Sequence, residues 1–171
     1  VTEAELRSAL CHEVFHCYQQ ELFDGTVSEY NGLARASTWV IEGLAAWAGG
    51  QAGGPPLVLC GDFNIAPEER DVANPASWAG SVLCHPDVRA AWAALLGAGL
   101  VDSFRLHHAE GGHYSWWDYR MLGFPKNDGL RIDHVLLAPI LASRCAGASI
   151  DRDERKGKLP SDHAPVFAEL S

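Results

Sequence analysis

Two sets of residues in this chain have types and spacings suited to metal-assisted hydrolysis. The first is His12, Glu13 and His16, in the run His-Glu-Val-Phe-His. Side chains four apart share one helix face, so His12 and His16 can grip a single Zn²⁺ while Glu13 acts as general base on a metal-bound water. Glu42, within Trp39-Val40-Ile41-Glu42-Gly43 on the next helical stretch, is the candidate third ligand. The second set begins at Gly61-Asp62-Phe63-Asn64, directly after the apolar run Leu57-Val58-Leu59-Cys60. Along an extended segment alternate side chains share a side, so Asp62 and Asn64 are expected to project together. Asp62 could then orient or deprotonate a water while Asn64 donates to negative charge developing on phosphorus. The plainer alternative is an Asp-Asn turn that caps a strand. Asp133 falls inside the apolar stretch Ile132–Leu137, where an unpaired carboxylate is costly. Ser161-Asp162-His163 supplies it with an imidazole partner, and Asp162 adds a hard oxygen ligand for Mg²⁺.

The elements that must hold these groups can be read from periodicity and breakers. Leu6, Leu10, Val14 and Phe15 recur at helical spacing after a Thr2 cap, predicting a helix over 3–23. A polar loop follows, then a second helix from about 37 or 38 to 48. The stretch Gly49-Gly50-Gln51-Ala52-Gly53-Gly54-Pro55-Pro56 is the strongest boundary signal in the chain. It divides a helical segment with the His-Glu-x-x-His run (1–50) from a larger unit (57–171) through a Gly/Pro-rich junction (51–56). Beyond it, Leu57–Cys60 reads as a strand buried on both faces. Residues 86–98 read as a helix carrying Val88, Ala91, Trp92, Leu95 and Leu96. Strands are expected over 114–119, 132–137 and 165–170, so the fold class is α/β in layers.

Composition narrows the function classes. The 171 residues are 47% hydrophobic and 20% charged, as in a globular protein. No apolar run approaches the roughly 20 residues of a membrane span, and the first ten residues lack the pattern of a signal peptide. Cys11, Cys17, Cys60, Cys84 and Cys145 show no Cys-x-x-Cys spacing and read as reduced thiols of a cytoplasmic protein. The net charge of −9 argues against a broad electrostatic DNA-binding face but not against a local one. His107, His108 and His113 read as surface or loop histidines, and the run Asp151–Lys156 as a solvated loop.

Several longer stretches carry a specific resemblance. GDFNIAPEERDV, GLVDSFRLHH, YSWWDYR, GLRIDHVLL and PSDHAPV, in that order, resemble the C-terminal half of the exonuclease III family within the endonuclease/exonuclease/phosphatase superfamily. The resemblance covers residues from about 55 to 171. It implies half of that family's layered α/β-sandwich, preceded here by an α-helical pair, and an Mg²⁺- or Mn²⁺-dependent phosphodiesterase acting on DNA at an abasic site or a 3′ end. In that frame Asp62 is the water-orienting acid/base and Asn64 its transition-state partner. Asp133 pairs with His163, Asp162 binds Mg²⁺, and Trp116 packs on the abasic sugar or the displaced nucleotide. The family's N-terminal half, with its early Asn, its Gln-Glu pair and its mid-chain Tyr, has no counterpart before residue 55. Impaired turnover is therefore expected, as is a bare sheet face open to self-association. HEVFHCYQ with WVIEGLAAW is similar to the zinc-binding helices of gluzincin-type metallopeptidases, which implies Zn²⁺ at His12, His16 and Glu42. A zinc peptidase-like unit and an inactive fusion thus stand as the alternative readings.

Overall fold

The computed structural model describes residues 56–171. The helices expected over 3–23 and 37–48, with His12, Glu13, His16 and Glu42, lie outside the described residues, as does nearly all of the 51–56 junction.

Strand β1 (Val58–Asp62) runs antiparallel to β3 (Asp133–Leu137), with Val58 opposite Leu137 and Asp62 opposite Asp133. The two-residue β2 (Val101–Asp102) pairs with the far edge of β3, giving the order β1-β3-β2. A second antiparallel pair joins β4 (Cys145–Ile150) to β5 (Val166–Leu170), with an irregularity in register between Cys145 and Gly147. Short helices connect these strands: α1 (Pro75–Trp78), α2 (Pro86–Gly97), α3 (Ser103–His107), α4 (Gly123–Lys126) and α5 (Pro139–Ala142). The fold is α/β, and β5 and α3 both pack on β3.

Helix α2 forms where the sequence places it, one residue shorter than expected. His85 caps it by accepting the Asp87 amide at Nδ1 (3.2 Å), Pro86 opens it with a preset φ, and Asp87 complements its positive end. The face with Val88, Trp92 and Leu95 closes on Ile65, Leu100 and Leu136, with Leu59 and Phe63 packed alongside. At roughly 1.5–3 kcal/mol per fully buried large apolar side chain, this cluster anchors the sheet that bears the site.

Two expected features differ. Strand β1 is covered on one face only: Leu59 is half-buried, whereas Val58 is 45% exposed and Cys60 is exposed. Pleating turns residues 58 and 60 away from the α2 cluster, so an apolar run does not imply double coverage. No strand forms over 114–119. Trp116 makes isolated bridges to Leu130 and His163, and the Asp118 carboxylate then accepts the Arg120 amide (2.8 Å), turning the chain into a 3₁₀ helix at Arg120–Leu122. The pairing there lasts a single rung. Strand β4, unforeseen, is built largely of Ala, Gly and Ser, residues with little strand signal of their own. No described helix is long and apolar enough to cross a membrane.

Candidate active site

The end of the β1–β3 ladder places Asp62 directly across from Asp133. Like charges facing each other across a strand pair destabilise it, unless something positive stands between them. His163, arriving just before β5, supplies that group. Its Nδ1 lies 2.9 Å from Asp133 Oδ2 and 3.1 Å from Oδ1, and its Nε2 faces Asp62 Oδ2 at 3.9 Å. A carboxylate only accepts, so Nδ1 carries a proton and Asp133 fixes the ring's orientation.

Asn64 joins this group by a route other than strand alternation. Its φ is 52°, the left-handed region that Asn tolerates better than most residues, so the chain is already turning. The turn carries the Asn64 amide to Asp62 Oδ1 (2.9 Å) and its Nδ2 to Asp62 Oδ2 (3.3 Å). The turn-forming alternative and the chemical reading therefore describe the same geometry.

Electrostatics set the two titrating groups apart. Burial, with the Asp133 charge adding to it, raises the Asp62 carboxyl above its ordinary range despite the hydrogen bonds from Asn64. Burial alone would lower His163, but the hydrogen bond and charge of Asp133, helped by Asp62 and Asp162, raise it above an ordinary imidazole. The stability from this pairing is fully present below the ordinary imidazole value and is lost as pH rises through the raised one. Asp133→Asn removes the main raising influence. The alkaline limb of any reaction that needs the imidazolium should then move to lower pH, which a pH–rate profile of the variant reads directly.

Asp62, Asp133 and His163 each offer a ligand atom, all within 4.8 Å of one another. The two opposed carboxylates offer hard oxygens with charge to neutralise, which fits a divalent cation, while His163, protonated against Asp133, stands beside them as a donor and not as a ligand. Asp162 stands outside this group of three: Trp116 Nε1 donates to its Oδ2 (3.0 Å). Trp116 is half-buried and edge-on to Trp78 (5.7 Å between ring centres), so it already positions Asp162. Trp117 is fully buried against Phe124 and is a core residue.

Other positioning residues carry no motif signal. Buried Ser115 accepts the Ile132 and Asp133 amides at Oγ (3.0 Å each), and its carbonyl accepts the Ala164 amide (2.7 Å). One residue thus ties the Asp133 strand to the His163 segment. Arg155, expected in a solvated loop, is 5% exposed. It donates to the Ser161 carbonyl and lies over the Phe124 ring, so packing overrides the charged appearance of that run. Arg131 is buried between Asp71 (Nε to Oδ1, 2.7 Å) and Asp102 (Nη2 to Oδ2, 2.8 Å), and its Nη1 meets His134 Nδ1 (3.0 Å). His134 Nε2 donates to the Ile65 carbonyl (2.8 Å). Burial, with the Arg131 charge second, lowers His134 to about 4, so it stays neutral and acts as a strut.

A family model for the endonuclease/exonuclease/phosphatase family matches residues 6–163, and the chain belongs to that family. Among curated relatives, it is 42% identical over 122 residues to exodeoxyribonuclease III of Haemophilus influenzae, covering 67% of this chain and 46% of the relative. It is 35% identical over 139 residues to the DNA repair nuclease APEX1 of Danio rerio, covering 79% and 43%. Among solved structures, the 3′ phosphatase NExo from Neisseria, bound to a product DNA hairpin, superposes with a TM-score of 0.77 at 35% identity, covering 86% of this chain and 56% of that one. The chain spans less than half the length of these curated relatives.

Proposed function

We propose that this chain is a divalent-metal-dependent phosphodiesterase acting on DNA, at abasic sites or 3′ ends. The observation that carries the reading is the meeting of Asp62, Asn64, Asp133 and His163, drawn from three separate sequence segments, at one end of the β1–β3 ladder. The exodeoxyribonuclease and repair-nuclease names of its relatives support DNA as the polymer.

Each side chain has a role that follows from its surroundings. Asp62, its carboxyl raised by burial, orients the attacking water and takes its proton. Asn64 has a second amide hydrogen beyond the one given to Asp62, and that hydrogen donates to a phosphoryl oxygen. His163, held charged by Asp133, donates from Nε2 to the phosphate, which anchors the scissile group against Asp62. The opposed carboxylates of Asp62 and Asp133 would hold Mg²⁺, with Asp162, placed beside them by Trp116, as a further oxygen donor, and the ion would supply charge neutralisation on the phosphate. Trp116, whose indole N–H already holds Asp162, offers its half-buried ring to the sugar.

The assay is a substrate panel in Mg²⁺: an abasic duplex, a 3′-phosphate duplex, an intact blunt duplex, single-stranded RNA and p-nitrophenyl phosphate. Turnover is expected on the DNA duplexes and not on the last two. Preference for p-nitrophenyl phosphate over every DNA substrate would overturn the reading.

A further inference from the structure

A second group of ligand atoms shares no residue with the site above. His108, Glu110 and His113, in the loop after α3, each present one ligand atom, all within 4.8 Å of one another. Glu110 Oε1 lies 2.8 Å from His113 Nε2 and 3.6 Å from His108 Nδ1. Ligand atoms at the corners of a tetrahedral zinc site sit about 3.4 Å apart, given metal–ligand bonds of about 2.0–2.2 Å. The Glu110–His108 pair already stands near that spacing. The Glu110–His113 contact is a hydrogen bond with the proton on Nε2, and an ion would displace that proton as the exposed Glu110 side chain rotates outward.

The loop is built, not merely populated with suitable residues. His108 Nε2 lies 2.8 Å from the Ala148 carbonyl, which can only accept, so that nitrogen carries the proton and Nδ1 keeps its lone pair toward Glu110. This is how proteins set the tautomer of a metal-binding histidine. Phe104 stacks on the His108 ring (4.3 Å) and meets the His113 ring edge-on (5.5 Å). Arg105 Nη1 donates to the His108 and Glu110 carbonyls (2.9 and 2.8 Å), and Arg70 Nη1 to that of Ala109 (2.5 Å). Gly112, at φ 90°, makes the return turn that brings His113 back. The two arginines are paired with Asp71 and Glu68, so their charge is partly neutralised where it would oppose a cation.

We propose that His108, Glu110 and His113 bind one divalent transition ion of the zinc class, with its remaining position open to water. Two imidazoles and a carboxylate suit zinc, cobalt or nickel over Mg²⁺, which prefers oxygen and water. The ion would clamp α3 to β4 through His108. It would also fix the start of the segment His113-Tyr114-Ser115, whose serine holds the Asp133 strand. The proposal does not depend on the phosphodiesterase reading.

The test titrates Co²⁺ into the full chain carrying His12→Ala and His16→Ala, in excess Mg²⁺, and follows visible ligand-field absorption. These conditions silence the other histidine pair and occupy the Asp62–Asp133 group. Absorption saturating at one equivalent, and bleached by Zn²⁺, is expected. Affinity should fall at least about 100-fold in His113→Ala and about tenfold in Glu110→Gln, with circular dichroism unchanged, while His107→Ala, at an exposed neighbouring histidine, binds normally. Absence of absorption overturns the proposal. So does absorption that survives both His113→Ala and His108→Ala, or that disappears in Asp133→Asn instead.

Discussion

Asp62→Asn should lower turnover on DNA about 10³-fold while leaving the protein folded. A positioned general base contributes on the order of 10²–10⁴. The amide matches the carboxylate in shape but cannot take a proton from water. Stability should not fall, because the substitution removes one of two like charges facing each other across the β1–β3 ladder. It also relieves a carboxyl that burial already makes costly to ionise. The Asn64 backbone amide keeps an acceptor in the carbonyl oxygen of the introduced asparagine, and only the longer Asn64 Nδ2 contact (3.3 Å), from a part-exposed side chain, is lost. Loss of rate without loss of melting temperature is therefore the signature, read by single-turnover kinetics beside thermal unfolding. A loss of only a few fold would show that some other group handles the proton.

Arg131→Met should destabilise the fold by about 3–5 kcal/mol, the usual cost of stranding buried partners of an ion pair. Arg131 is 1% exposed, and its three nitrogens serve Asp71, Asp102 and His134 separately. Arg105 also pairs with Asp71, but Asp102 would lose its only guanidinium partner among the described residues. Arg131→Lys should rescue little, because one ammonium cannot reproduce a planar fork spread over three acceptors. The pH dependence follows from Asp71. Burial would raise its carboxyl, but the charges and hydrogen bonds of Arg131 and Arg105 hold it below the ordinary value. A carboxyl depressed in the folded state contributes stability above its unfolded value and loses it as pH falls through the folded one. The penalty of Arg131→Met should thus be largest near neutrality and shrink once the stranded carboxyls protonate. Denaturant midpoints at neutral and acid pH check this, and an equal penalty at both would contradict it.

Which residues meet at the candidate site was more legible in the sequence than what supports them. Asp62, Asn64, Asp133 and His163 sit in short runs whose residue types are costly or pointless without a job, and the structure brings all four together. Their arrangement was less legible: Asn64 reaches Asp62 through a left-handed turn, a backbone choice that alternation arguments do not contain. The supports are hidden because they are ordinary residues paired over long separations, such as Arg131 with Asp71, or Ser115 beneath the Asp133 amide. Helix α2 and strands β1, β3 and β5 follow from apolar pattern and caps. The 114–119 segment misled because its aromatics suit a strand, while Asp118 and the turn beyond it stop the ladder. His108 and His113 look like scattered loop histidines until Gly112 folds one back toward the other.

Every role assigned to the site turns on whether folded protein cuts DNA at a defined lesion through a divalent ion. The measurement is scission of a labelled duplex bearing one abasic site, in Mg²⁺, then in EDTA, then with Mg²⁺ restored. A nicked product that disappears with chelation and returns with Mg²⁺ is the predicted result. Absence of product from folded protein, or scission indifferent to EDTA, would contradict it.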